Sequence, residues 1–91
     1  MSDGELNRIN GKNWLTQYLG LGRAFMSSRT SVFEAHKILR GIGEISTAGR
    51  HKILKRGKEF NVIYAYGVNS PYVWYKLTAL GQELMEEIEN E

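Results

Sequence analysis

The stretch that most constrains the fold of this chain is NVIYAYGVNSPYVWYKL, residues 61–77. It alternates between side-chain types, is rich in Val, Ile and aromatic residues, and is interrupted by Asn-Ser-Pro at residues 69–71. Such a pattern is typical of two strands joined by a turn. Because the rest of the chain repeats its apolar residues mostly at helical spacing, we expect one hairpin packed against helices.

Two helices are expected in the first half of the chain. Apolar residues recur at helical spacing from residue 12 to residue 26, although Gly20 and Gly22 could break this helix because glycine disfavours helix interiors. Ser31, followed three residues later by Glu34, forms a capping box that starts a second helix. That helix is predicted to end near residue 42.

Two further helices flank the expected hairpin. Ser46 or Thr47 is a suitable N-cap for a third helix, which Gly57 could terminate. Thr78 is a suitable N-cap for a last helix, in which the apolar residues again follow helical spacing. The order is therefore three helices, a hairpin and a final helix.

The composition restricts the class of protein. With 91 residues the chain has room for one domain, which we place at residues 11–91 after a flexible N-terminus at residues 1–10. It lacks cysteine and any apolar run long enough to span a membrane, so we expect a cytoplasmic protein. No motif indicates an enzyme, a metal site or a cofactor.

Charge is distributed very unevenly along the chain. The formal net charge is only +2, yet residues 35–58 carry seven Lys or Arg against the single acid Glu44. Residues 59–91 carry only Lys76 against six glutamates. A basic middle beside an acidic tail indicates one face for a polyanion and another face directed away from it.

The order of elements matches a winged helix-turn-helix domain, so the predicted fold class is α+β, mainly α, with three helices, a hairpin wing near residues 62–77 and a C-terminal helix. The segments SVFEAHKI and ISTAGRHKILKRGKEFNV resemble the small helix-turn-helix domains of phages and prophages. Ser31, Glu34, Ala35, Ala48, Arg50 and Leu54 match that pattern. Leu77, Thr78 and Gly81 resemble the L-T-x-x-G step that follows the wing in winged-helix repressors.

The resemblance implies a DNA-binding domain with its recognition helix near residues 46–57, but no biological role. Our first hypothesis is a sequence-specific double-stranded DNA-binding protein that acts as a small transcription regulator. On a helical wheel, most of the basic residues of this segment point away from Ile53 and Leu54. Arg50 falls on the apolar side, where it could either pair with Glu34 or Glu44 or contact DNA. The predicted DNA-binding residues are Ser46, Thr47, Ala48, His51, Lys52, Lys55, Arg56, Arg29 and Lys37.

Three alternatives remain open from the sequence. Residues 31–40 could be the recognition helix instead. The protein could be a DNA-binding accessory factor in replication, partition, recombination or packaging. It could also be a protein-interaction module that uses surfaces around Trp14 and Phe25 or around Tyr72 and Trp74.

The two terminal helices also predict a homodimer. Each carries an apolar stripe, and so short a chain is not expected to cover both stripes. A two-fold dimer would place two recognition helices about one DNA turn, ~34 Å, apart on a palindromic site.

Overall fold

Five helices and three short strands make up the part of the chain that the computed structural model describes, which is residues 2–27, 29–67 and 73–91. The protein is therefore α+β and mainly helical, as expected. No helix within these ranges is long and apolar enough to cross a membrane. The elements in chain order are α1 Asp3–Gln17, α2 Leu19–Ser27, β1 Thr30–Ser31, α3 Val32–Ile42, α4 Thr47–Glu59, β2 Ile63–Tyr66, β3 Trp74–Leu77 and α5 Ala79–Glu89.

The strands form an antiparallel sheet in the order β1-β3-β2. Ile63 of β2 lies opposite Leu77, which confirms the expected pairing of the two hairpin strands. The sequence did not predict β1, which pairs Thr30 with Tyr75 and places β3 in the centre. The predicted turn at residues 69–71 lies outside the described residues, as does Tyr72.

Residues 1–10, predicted from the sequence to be flexible, contain the start of the first helix. Helix α1 begins at Asp3, and the Ser2 hydroxyl caps it by accepting a hydrogen bond from the Glu5 amide. Arg8 then forms ion pairs with Glu83 and Glu87 of α5, at 3.0 and 2.7 Å. These charged contacts join residues far apart in sequence, so apolar periodicity does not reveal them.

The first predicted helix is divided at Tyr18 rather than at Gly20 or Gly22. Tyr18 leaves the helical backbone conformation, and its amide closes α1 by donating to the Trp14 carbonyl. Gly22 is buried inside α2, where a β-carbon would lie 2.6 Å from the Met85 sulfur. This glycine therefore allows α2 to pack closely on α5.

The terminal helices cover each other within one chain, so the expectation that so short a chain would leave their apolar stripes uncovered is wrong. Trp14 and Leu15 of α1 are buried, as are Leu84 and Met85 of α5. The same core takes in α2, α3, α4 and the inner face of the sheet. Its remaining buried apolar members are Leu21, Phe25, Ala35, Leu39, Leu54, Val62, Ile63, Tyr75 and Leu77.

The step from β3 into α5 is held by Thr78. Its amide donates to the Val62 carbonyl at 3.0 Å, and its hydroxyl donates to the Asn61 carbonyl at 2.6 Å. The same hydroxyl accepts from the Gly81 amide at 2.9 Å, which confirms Thr78 as the N-cap. A β-carbon on Gly81 would collide with the Val62 carbonyl oxygen, so this position requires glycine.

Gly81→Ala should destabilise the fold by about 1–3 kcal/mol, the usual cost of forcing atoms into a packed site. Gly41→Ala is the matched control, because Gly41 lies in α3 with no atom within 4 Å of a built β-carbon. There the same substitution should stabilise by roughly 0.5–1 kcal/mol. Urea unfolding followed by circular dichroism measures both changes. Equal effects would contradict the proposed close contact.

Candidate nucleic-acid interface

Helix α4 is the most basic element, and its boundaries follow from two contacts. The Ser46 hydroxyl accepts from the Gly49 amide at 3.1 Å, which makes Ser46 the N-cap. The predicted end at Gly57 is wrong, because the helix continues to Glu59. Gly57 is instead buried against Trp14, whose ring atoms would lie 2.7 and 2.9 Å from a β-carbon there.

The side of α4 that faces the core is also fixed by Trp14. Its indole nitrogen donates to the Ile53 carbonyl at 3.0 Å, and Leu54 is buried. Ala48, Lys52 and Lys55 follow one another at helical spacing on the opposite side, where all three are exposed. The structure therefore brings these three predicted residues together on one outward stripe.

Arg56 does not belong to that stripe. It lines a shallow depression between α4 and α1, beside Trp14, Tyr18, Ile53 and Phe60. The sequence grouped Arg56 with Lys52 and Lys55 because a wheel of one helix does not show which side a neighbouring helix occupies. Arg56 thus stands at the edge of the basic surface.

A groove of about 450 Å³ separates α3 from α4. It brings the predicted residues Lys37, Thr47 and His51 together. Arg40 also lines it, one turn beyond Lys37 on α3, although the predicted set lacked this residue. The i, i+3 spacing of the two cations was the available sequence signal. The other lining residues are Val32, Phe33, His36 and Arg50.

Arg50 connects α4 to α3 and to the segment between them. Its Nε donates to His36 Nδ1 at 2.9 Å, its Nη1 to the Ile45 carbonyl at 2.7 Å and its Nη2 to the Thr47 hydroxyl at 3.0 Å. The expected pairing with Glu34 or Glu44 is not among these contacts. Arg50 therefore fixes the start of α4, and its guanidinium nitrogens are directed into the protein.

The two hydroxyl groups at the start of α4 also have structural partners. Ser46 Oγ accepts from the Gly49 amide, and Thr47 Oγ1 accepts from Arg50. Each hydroxyl keeps its own proton, which can donate to a phosphate or base acceptor. Both residues are exposed, so their hydroxyl groups remain available for the predicted contacts.

His36 is neutral in this arrangement, because its Nδ1 accepts a hydrogen bond from a permanently charged guanidinium. The ring proton therefore lies on Nε2, which is buried and has no partner among the described residues. Burial lowers the His36 pKa, and the neighbouring His51 and Arg50 lower it further. The His51 ring lies edge-on at 4.6 Å between centroids.

Arg29 lies on the sheet rather than in the groove. Its guanidinium carbon is 4.3 Å from the centre of the Trp74 ring, a cation–π distance. Arg29, one of the predicted DNA-binding residues, thus lies beside β3, separate from the residues that line the α3–α4 groove.

The ion pairs within the described part of the chain join the first two helices to the C-terminal glutamates. Among the described residues, the four ion-pair contacts join Arg8 and Lys12 of α1 and Arg23 of α2 to glutamates near the C-terminus. No lysine or arginine of residues 35–58 takes part in an ion pair within the described ranges. The acidic tail is thus partly neutralised by α1 and α2, whereas α3 and α4 keep a positive surface.

No protein-family model, curated protein or solved structure matches this chain significantly. Within the described residues, no group of three or more His, Asp or Glu is placed to hold a metal ion. The geometry and charge of α3, α4 and the sheet are therefore the basis on which a function can be proposed.

Arg50→Ala should destabilise the domain by about 1–3 kcal/mol, because it removes three hydrogen bonds from a partly buried charged group. Lys55→Ala is the control, since Lys55 is exposed on the same helix and should change stability by no more than ~0.5 kcal/mol. The free energy of unfolding in urea gives both values. If the two variants are equally stable, Arg50 does not fix the start of α4.

Stability should also fall as the pH drops below the ordinary histidine value of 6.5. In this range His36 is protonated in the unfolded chain but stays neutral in the folded chain, because folding lowers the pKa of His36. Every titratable group lining the groove besides His36 is basic (Lys37, Arg40, Arg50 and His51), so no carboxylate there offsets the effect.

Unfolding free energies measured across this range should show a slope of up to ~1.4 kcal/mol per pH unit from His36. His36→Gln should remove that component, whereas His51→Gln, which keeps His36, should retain most of it. A slope unchanged in His36→Gln would assign the pH dependence to another group.

Proposed function

We propose that this chain is a sequence-specific double-stranded DNA-binding protein of the winged helix-turn-helix type, acting as a small transcription regulator. The observation that carries the proposal is the outward stripe of Ala48, Lys52 and Lys55 on α4. The stripe is exposed, carries no paired acid among the described residues and adjoins a groove lined by further cations.

Helix α4 is suited to the role of recognition helix. The major groove of DNA admits one α-helix, and base edges there offer acceptors to lysine and arginine. The small side chain of Ala48 would permit close approach near the start of the helix, while Lys52 and Lys55 would extend further. Trp14 and Arg50 hold the opposite side, so the stripe is presented on a rigid helix.

Helix α3 would contribute contacts to the DNA backbone. Lys37 and Arg40 line the groove beside the start of α4, where exposed Ser46 and Thr47 can donate hydrogen bonds. The positive end of the α4 dipole adds to the attraction for phosphate at this position. The hairpin of β2 and β3 directly follows α4, as a wing would.

One observation favours a protein-interaction module as the second candidate. Phe33 is 77 % exposed at the edge of the α3–α4 groove, and so large an exposed ring suits an apolar partner. The surface around Trp14 and Phe25 that the sequence suggested for such a partner does not exist, because both side chains are buried. A DNA-binding accessory factor would use the same chemistry as the proposed regulator.

The proposal predicts salt-sensitive duplex binding that depends on Lys52 and Lys55. If five or six phosphates are neutralised, log K should fall against log salt with a slope of about −5 per chain. Lys52→Ala with Lys55→Ala should weaken binding to a selected duplex by about 1–3 kcal/mol for each lost base contact. Fluorescence anisotropy on duplexes selected from a random library measures both effects.

Arg23→Ala is the control for lost charge, because Arg23 is exposed on α2 and pairs with Glu89. It should change duplex affinity little. If Lys37→Ala and Arg40→Ala abolish sequence preference while the Lys52 and Lys55 changes do not, α3 reads the bases. Absence of duplex binding, or a flat salt response, would reject the proposal.

The homodimer remains a prediction, but less exposed apolar surface supports it than the sequence suggested. With the terminal stripes packed within the chain, the exposed apolar residues left on α1 are Leu6 and Ile9, 43 % and 49 % exposed. Sedimentation equilibrium at micromolar concentration should give a mass of about twice 10.4 kDa, and Leu6→Lys with Ile9→Lys should halve it. A mass of 10.4 kDa that is independent of concentration rejects the dimer.

A further inference from the structure

The outer face of the sheet carries a row of aromatic residues. Tyr64 and Tyr66 of β2 lie opposite Lys76 and Trp74 of β3 in the antiparallel register. Side chains alternate between the two faces of a strand, so these four share the face opposite to buried Tyr75. Both tyrosines are exposed, Tyr64 at 43 % and Tyr66 at 36 %.

Two rings on this face, those of Tyr64 and Tyr66, lie next to each other. The Tyr64 and Tyr66 rings lie 5.8 Å apart between centroids, with 35° between their planes. Beside them, the Arg29 guanidinium lies against the Trp74 ring at 4.3 Å. Exposed tyrosines in a row on one strand present flat π surfaces to solvent, which is the chemistry of a stacking site.

The charge of the sheet is entirely positive. None of the residues in β1, β2 and β3 is acidic, and Lys76 is exposed beside the Tyr64 ring. A ligand that matches this face must combine flat rings with negative charge. Unpaired nucleotides do so, because each offers a base face and a phosphate. An acidic peptide would match the charge but would leave most of the ring area without a stacking partner.

We propose that this face binds single-stranded nucleic acid by stacking bases on Tyr64 and Tyr66, with Lys76 and Arg29 beside the phosphates. Duplex DNA cannot occupy the face in this way, because its base faces are already stacked within the helix. The proposed site is therefore separate from α4 and does not depend on the duplex-binding function proposed above.

The test measures binding of the full chain to labelled oligothymidylate and oligouridylate by fluorescence anisotropy, with a mixed-sequence duplex in parallel. Tyr64→Leu with Tyr66→Leu removes both rings but keeps apolar side chains on the strand. Tyr64→Phe with Tyr66→Phe keeps the rings and removes only the hydroxyls. Thermal melting of each variant checks that the sheet is intact.

We expect the leucine variant to lose about tenfold or more in affinity for single strands, since each stacked base contributes substantially. The phenylalanine variant should remain within about twofold of the parent, and duplex affinity should not change in either variant. Comparison of the two oligonucleotides shows whether the 2′-hydroxyl is sensed.

Three results would overturn the proposal. They are no detectable single-strand binding, equal loss in the leucine and phenylalanine variants, and loss caused by Lys52→Ala with Lys55→Ala but not by the tyrosine changes. The last result would mean that single strands bind α4 by charge alone. Failure of duplex binding with intact, ring-dependent single-strand binding would reject the regulator and keep this site.

Discussion

The structure depends on the close packing of helices α1, α4 and α5 around Val62, the residue that immediately precedes β2. Its amide donates to the Gly57 carbonyl of α4, and its carbonyl accepts from Thr78 at the start of α5. Its side chain presses on Gly11 of α1, where a β-carbon would collide with it, and Gly81 lies against its carbonyl. Val62 thus touches three helices at once, and Asn61 before it adopts a left-handed backbone conformation, φ 60°, that redirects the chain from helix to strand. The close approach of Val62 explains the glycines at Gly11 of α1 and Gly81 of α5 despite the low helix propensity of glycine.

The candidate site follows from this packing. With α1 held against Val62, Trp14 reaches α4, contacts Gly57 and binds the Ile53 carbonyl, which sets the rotation of α4 about its axis. Arg50 then sets the start of the same helix through His36 and Ile45. A helix fixed at both places presents Lys52 and Lys55 in a defined direction. Preorganised side chains lose less entropy on binding than mobile ones, so this rigidity favours sequence discrimination under the proposed function.

The sequence predicted the features that depend on neighbouring residues. N-caps act over three residues, so Ser31, Ser46 and Thr78 could each be placed, and the alternating hairpin strands were equally local.

Features set by distant partners could not be read in the same way. Arg50 binds His36, fourteen residues away, through a neutral ring nitrogen rather than a carboxylate, a pairing that charge complementarity does not suggest. The first two turns of α1 are held by Arg8 and glutamates of α5, and Arg56 faces α1 because of how the helices pack. The apolar stripes of the terminal helices are covered within one chain partly because of Gly22. Since this residue lacks a side chain, α2 can pack closely on Met85 of α5.

The charge distribution has opposite effects on stability and on the proposed binding. A carboxylate in the α3–α4 groove would relieve repulsion among Lys37, Arg40 and Arg50 and would stabilise the free protein, yet it would repel phosphate. No carboxylate lines the groove. The repulsion among its cations is limited because His36 stays neutral and accepts a hydrogen bond from Arg50 instead of adding a further charge.

On the other side of the molecule the acidic tail forms ion pairs with Arg8, Lys12 and Arg23, and these pairs do not compete with the proposed DNA surface. A polyanion at the groove would then supply the negative charge that α3 and α4 lack, so binding would remove the repulsion that the free domain tolerates. Stability thus depends on the contacts of Val62, on the acidic tail and on the hydrogen bonds of Arg50, whereas the proposed binding would use Lys52 and Lys55.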